Sequence, residues 1–160
     1  TTQCASAAAA KTNWENATPA NGNGIVRTGM NGYSTGPAAL AEFNNVSNQI
    51  NFRGKNSNIA FHHVLEFDVP ATVSTLSVRV GPDFGGYGTL NLDGESKAFR
   101  SNDMWWGGSY GNASQILQFE NVTVTPGHHV IDVYGYEGCC DGPQQIQFKL
   151  DSGSWTTFKK

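Results

Sequence analysis

This chain is short of charge. Only 14% of its 160 residues are Asp, Glu, Lys or Arg, against a usual share of about 25%. Asn, Ser, Thr and Gly fill the deficit rather than apolar residues, which stand at 38%. A polar but uncharged surface of this kind is expected outside the cell. The net charge is −3 and the one basic cluster is Lys159-Lys160, so the electrostatic footprint of a nucleic-acid partner is missing. No run approaches the roughly 18–20 apolar residues of a membrane span. The chain opens at Thr1 with no charged and apolar leader, the expectation for a mature form after removal of a signal peptide. Cysteine is also scarce, with three residues in all, and none sits at a zinc-binding spacing with His. There is no nucleophile elbow, no phosphate-binding loop and no persuasive Ser–His–Asp order, so no catalytic residues are assigned and an enzyme is not expected. Glu66 and Asp68 share a strand face, a spacing that solvated faces carry routinely.

What is present is period-2 alternation. Phe61, His63, Leu65, Phe67 and Val69 fall on one face of a strand, with His62, Val64, Glu66 and Asp68 on the other. The pattern returns at Leu76/Val78/Val80, Leu90/Leu92, Leu117/Phe119, Val122/Val124, His129/Ile131/Val133 and Ile146/Phe148/Leu150. Turn residues such as Asp93-Gly94 and Asp151-Ser152-Gly153 separate the segments. These features predict an all-β fold, an antiparallel β-sandwich or jelly roll of about 8–10 strands, over residues 25–160. Residues 1–24 are expected to form an N-terminal arm. Its Ala-rich stretch suits a short helix, an extended arm tied down by Cys4, or an arm that reaches a neighbouring subunit.

Three Gly- and aromatic-rich loops stand out, at residues 81–88, 102–112 and 134–143. Neighbouring strands deliver loops to a shared end, so two or three of these are expected to converge. Exposed aromatic faces beside amides and carboxylates suit sugar recognition: a pyranose stacks its C–H face on the ring while polar groups take its hydroxyls. On this reading Trp105, Trp106 and Tyr136 supply stacking surfaces, Tyr110 is a further ligand-binding residue, and Asp103, Asn112 and Asp141 supply hydroxyl or calcium contacts. The competing expectation is that the tryptophans pack into the core. The His pairs His62-His63 and His128-His129 do not chelate by themselves, because adjacent strand residues point apart; His63 and His129 are expected to be hydrogen-bonded core residues. Calcium is a candidate cofactor, since Asp83, Asp93, Asp103 and Asp141 lie in turns; Asp103 and Asp141 are the better candidates. Asp-Gly is also the common hairpin turn. Sequons occur at Asn16, Asn45, Asn112 and Asn121.

The cysteines leave three arrangements open. Cys139 and Cys140 are adjacent, and a trans peptide holds neighbouring Cα atoms only about 3.8 Å apart, below the roughly 4.4–6.8 Å of ordinary disulfides. A Cys139–Cys140 bond forms a strained ring with a flat sulfur face. Alternatively Cys4 pairs with one of them, or a cysteine bridges to another chain. Each arrangement needs an oxidising compartment.

The segments Asp103-Met104-Trp105-Trp106-Gly107-Gly108 and Tyr134-Gly135-Tyr136-Glu137-Gly138-Cys139-Cys140-Asp141-Gly142 resemble those of secreted bacterial β domains marked by a Cys-Cys-x-Gly signature. Some of those proteins carry a PEP-CTERM-type sorting tail. The resemblance covers the C-terminal part of the chain and implies an extracellular β domain without catalytic residues. The function expected is a secreted or cell-surface, non-catalytic binding domain. Its partner is a carbohydrate or another extracellular matrix component, and its setting is adhesion or matrix. The alternative is a self-associating structural subunit of an extracellular filament, sheath or coat, for which the odd cysteine and the low-charge surface speak.

Overall fold

A computed structural model describes residues 6–15, 24–31, 57–139, 142 and 144–158. Eleven strands and one α-helix occur among them. In chain order the strands are β1 (Gly24–Asn31), β2 (Ser57–Val69), β3 (Thr75–Gly81), β4 (Asp83–Phe84), β5 (Tyr87–Leu92) and β6 (Glu95–Arg100). Then come β7 (Met104–Trp105), β8 (Leu117–Thr123), β9 (Gly127–Cys139), β10 (Gln145–Leu150) and β11 (Thr156–Thr157). The helix, α1 (Ala7–Glu15), comes first.

The strands form a five-stranded sheet ordered β1-β2-β9-β5-β6, a four-stranded sheet ordered β11-β10-β3-β8, and the small β4-β7 pair. The two larger sheets enclose one core of Phe61, Leu65, Leu76, Val78, Leu90, Leu117, Ile131 and their neighbours. The alternation is realised residue by residue in β2: Phe61, His63, Leu65, Phe67 and Val69 are buried, and the residues between them are half-buried or exposed. The fold is therefore the expected β-sandwich. Pairing is antiparallel except that β1 runs parallel to β2. Side-chain period cannot reveal that, because it is the same in both pairings. A parallel neighbour needs a long crossover, and residues 32–56 lie between these two strands.

Two sequence features set local geometry. Asp93 (φ 50°) and Gly94 (φ 82°) join β5 to β6 as a two-residue hairpin turn, which needs positive φ at both positions. In β8 the pairing runs Phe119 with Val78 and Val122 with Leu76. Glu120 and Asn121 thus oppose Ser77 alone, a bulge closed by the Asn121 N–H donating to Ser77 Oγ at 2.9 Å. The extra residue moves the buried phase from Leu117/Phe119 to Val122/Val124.

Of the routes open to the N-terminal segment, the helix is the one Ala7–Glu15 takes. Ser6 caps it, its Oγ accepting the Ala9 N–H at 3.2 Å. Ala10 is fully buried against Tyr87, Tyr134 and Tyr136, on the outer face of the five-stranded sheet. This is why every residue of β5 is buried: one face looks into the sandwich and the other lies under α1.

Candidate functional site

The three Gly- and aromatic-rich loops meet at one end of the sandwich. Strand β4, from the first loop, pairs with β7, from the second, so that Asp83 faces Trp105 and Phe84 faces Met104. The Trp106 N–H donates to Pro82 O at 2.9 Å. Glycine makes the approach possible. The Trp106 indole lies against Gly81 and the Phe84 ring against Gly135, where in each case a Cβ would overlap the ring. The Asp83 carboxylate sits against Gly142 of the third loop, with Oδ2 2.7 Å from where a Cβ would stand.

Strand alternation separates the two tryptophans. Trp106 is buried and packs on Tyr110, ring centroids 5.4 Å apart. Trp105 points the other way and is 65% exposed, the only large hydrophobic residue so exposed among those described. Its backbone N–H donates to Gln115 Oε1. Asn112 caps the short 3-10 turn Ala113–Gln115, its Oδ1 accepting from Ser114 N at 3.1 Å and Ser114 Oγ at 2.8 Å. Asn102 Nδ2 ties the loop's base to Asp103 O and Ser114 O, at 2.6 and 3.1 Å. These bonds hold open a cleft of about 500 Å³ lined by Asp103, Trp105, Gly107, Ser109, Asn112 and Gln115. The exposed indole stands beside an exposed carboxylate, a hydroxyl and two amides.

Of the residues expected in a site, Asp103, Trp105 and Asn112 line this cleft. Tyr110 belongs to the same loop, but its side chain turns toward the four-stranded sheet. There its hydroxyl donates to Gln145, and burial pushes the phenol's pKa above its ordinary value. Trp106 lies beneath the loop as its packing support. Tyr136 lies elsewhere: on β9 it faces outward, is buried with α1 packed over it and stacks on Tyr87 at 6.1 Å. Cys4, Cys140 and Asp141 lie outside the described residues, as does the Cys139 side chain, and with them the three disulfide arrangements. Gln115 and Ser109 were not singled out in the sequence; Asn112, as a cap residue, was the available pointer to the turn that presents Gln115.

Among the described residues no group of three or more His, Cys, Asp or Glu side chains could hold a metal ion. Two of the turn aspartates have other employment. Asp93 accepts from Val130 N at 2.8 Å and His129 Nδ1 at 2.7 Å, and Asp83 is buried against Gly142. His63 and His129 are buried and hydrogen-bonded, as expected of core residues. His63 Nε2 lies 3.1 Å from Gln144 Oε1, and burial lowers its pKa to about 4. Burial also pulls His129 down, but its two ring nitrogens meet Thr125 O and Asp93 Oδ2, both acceptors, and the net shift is upward.

No protein-family model and no curated protein matches the sequence. Solved structures similar in fold include the following two. The pre-peptidase C-terminal domain of a Bacillus anthracis collagenase aligns over 78% of this chain and 96% of its own at 15% identity, with a TM-score of 0.38. The Pleurotus ostreatus lectin in its apo form aligns over 79% of this chain and 36% of its own at 16% identity, with a TM-score of 0.42.

Proposed function

We propose that this β-sandwich is a non-catalytic, carbohydrate-binding domain, lectin-like, that acts in extracellular adhesion or matrix, with its site in the Trp105 cleft. The observation that carries this reading is the exposure of Trp105. An indole left 65% exposed forgoes the burial that large aromatics normally gain. A sugar ring's C–H face suits such a platform, and the groups around it match a ring of hydroxyls. Asp103 can accept two hydroxyl protons, Asn112 retains its amide N–H donors, Gln115 retains the one not given to Ser114 Oγ, and Ser109 adds a hydroxyl. The buried scaffold of Trp106, Phe84 and Met104 beneath the loop keeps the platform in place, which limits the entropy lost on binding.

A glycan array probed with and without calcium tests this. The wild type is expected to retain a defined set of glycans that Trp105→Ala does not. Calcium dependence would add a cation at Asp103 to the site. An array with no retained glycan under either condition rejects the reading.

A further inference from the structure

The outer face of the four-stranded sheet carries a stack that the cleft does not use. Arg79 of β3 points outward. Its guanidinium carbon lies 4.0 Å from the Tyr110 ring centroid and 4.2 Å from that of Trp155, so the guanidinium lies between two rings. Its Nε donates to Gln147 Oε1 at 2.8 Å. With both faces covered and Nε engaged, the terminal nitrogens are the donors left, confined to the guanidinium plane. Among the described residues no carboxylate lies within ion-pair distance of Arg79, although the charge of Glu120 acts on it from further off. The nearest acidic group on this face, Glu120, is held by Lys149 Nζ at 3.2 Å and by Gln118 Nε2. Lys149 Nζ in turn lies 5.0 Å from the Trp155 ring. In a chain so poor in charge, a guanidinium clamped in one orientation with no carboxylate in direct contact is conspicuous. A planar fork of N–H donors matches an oxyanion in two-point contact, and the flanking rings strip water from its faces without competing for its edge.

We propose that Arg79, framed by Tyr110 and Trp155 and flanked by Lys149, binds the carboxylate or sulfate of an acidic polysaccharide. This rests on the proposed carbohydrate-binding function and narrows its ligand class. Tyr110 links the two places: its backbone belongs to the loop between Ser109 and Gly111, which line the Trp105 cleft, and its ring covers Arg79. One acidic chain is thus offered a stacking platform and an anion fork on either side of a single loop. The shared loop favours a glycan over an acidic peptide, because it joins the fork to the Trp105 cleft.

The test is binding by calorimetry of four probes: polygalacturonate, its methyl ester, dextran sulfate and polyglutamate. They are applied to the wild type and to Arg79→Gln, Arg79→Lys and Trp105→Ala. Polygalacturonate (the carboxylate arm) or dextran sulfate (the sulfate arm) is expected to bind at least about tenfold more tightly than the uncharged ester, as a two-point charged contact implies. Added salt should weaken that preference. Arg79→Gln should abolish the preference, and Arg79→Lys, which keeps the charge but not the fork, should lose most of it with the melting temperature preserved. Equal binding of charged and uncharged polymers by the wild type and Arg79→Lys overturns the proposal and leaves the Trp105 cleft standing. Polyglutamate binding as tightly as the acidic glycans also overturns it, because the occupant is then an acidic peptide. Acidic-polymer binding that survives Trp105→Ala but not Arg79→Gln sustains the Arg79 site while rejecting the cleft.

Discussion

Trp105 and Trp106 are neighbours in the chain, yet alternation sends one indole into solvent and the other against Gly81 and Tyr110. Truncating them therefore has opposite consequences. Trp106→Ala leaves a cavity and should cost about 3–5 kcal/mol, whereas Trp105→Ala should change stability by less than about 0.5 kcal/mol while removing ligand binding. Urea melts read the first effect and glycan binding the second. The histidines offer a separate test. The His63 pKa falls from 6.5 to about 4 on folding, chiefly by burial. The unfolded chain then takes up a proton that the folded one refuses. Stability from this group is complete above pH 6.5 and is lost as pH falls to 4, by roughly 3 kcal/mol. The sign for His129 is the reverse: a raised pKa means its contribution is complete below pH 6.5 and is lost as pH rises through the folded value. Urea melts across pH 4–9 should thus show a stability dome. His63→Gln should flatten its acid limb and His129→Gln should soften its alkaline one. A parallel dome in both variants would contradict these assignments.

At the scale of elements, period-2 alternation made most of the sandwich legible. Even the phase break between Phe119 and Val122 was visible before its cause, the bulge opposite Ser77, was known. What alternation could not convey was what lies on top of a sheet. Tyr87, Tyr134 and Tyr136 occupy outward positions that read as solvent-facing, and they are buried because α1 packs over them. Tyr136 was for that reason expected in the binding site and is instead part of a second, smaller core. The helix carries a prediction of its own. Ala10 is fully buried on those tyrosines, so Ala10→Glu would bury a charge without a partner. The helix should lift off rather than accept it. The expected result is a loss of about 1–3 kcal/mol, with tyrosine exposure rising in the absorbance spectrum and binding at the Trp105 cleft unchanged. A native tyrosine spectrum in this variant would mean that α1 does not cover the sheet in solution.

For the molecule as a whole, the meeting of two or three loops at one end of the sandwich was legible because neighbouring strands share an end, and the glycines explain how closely they approach. Gly81 and Gly135 are where rings from a neighbouring loop come to rest. Within that convergence the sequence could name Asp103, Trp105 and Asn112 but could not sort platform from support. That sorting depends on strand phase at β7, a strand only two residues long. The meeting of Arg79 with Trp155 was not legible for a similar reason: they lie far apart in the chain and come together because β10 pairs with both β3 and β11. The central claim is that Trp105 is the platform on which a glycan stacks, and indole-selective 1H–15N NMR of the titrated protein tests it most directly. With a glycan selected from the array, the Trp105 Nε1–H resonance should shift progressively to saturation while the buried Trp106 resonance stays nearly still. Saturable glycan binding that leaves the Trp105 resonance unmoved would contradict the account.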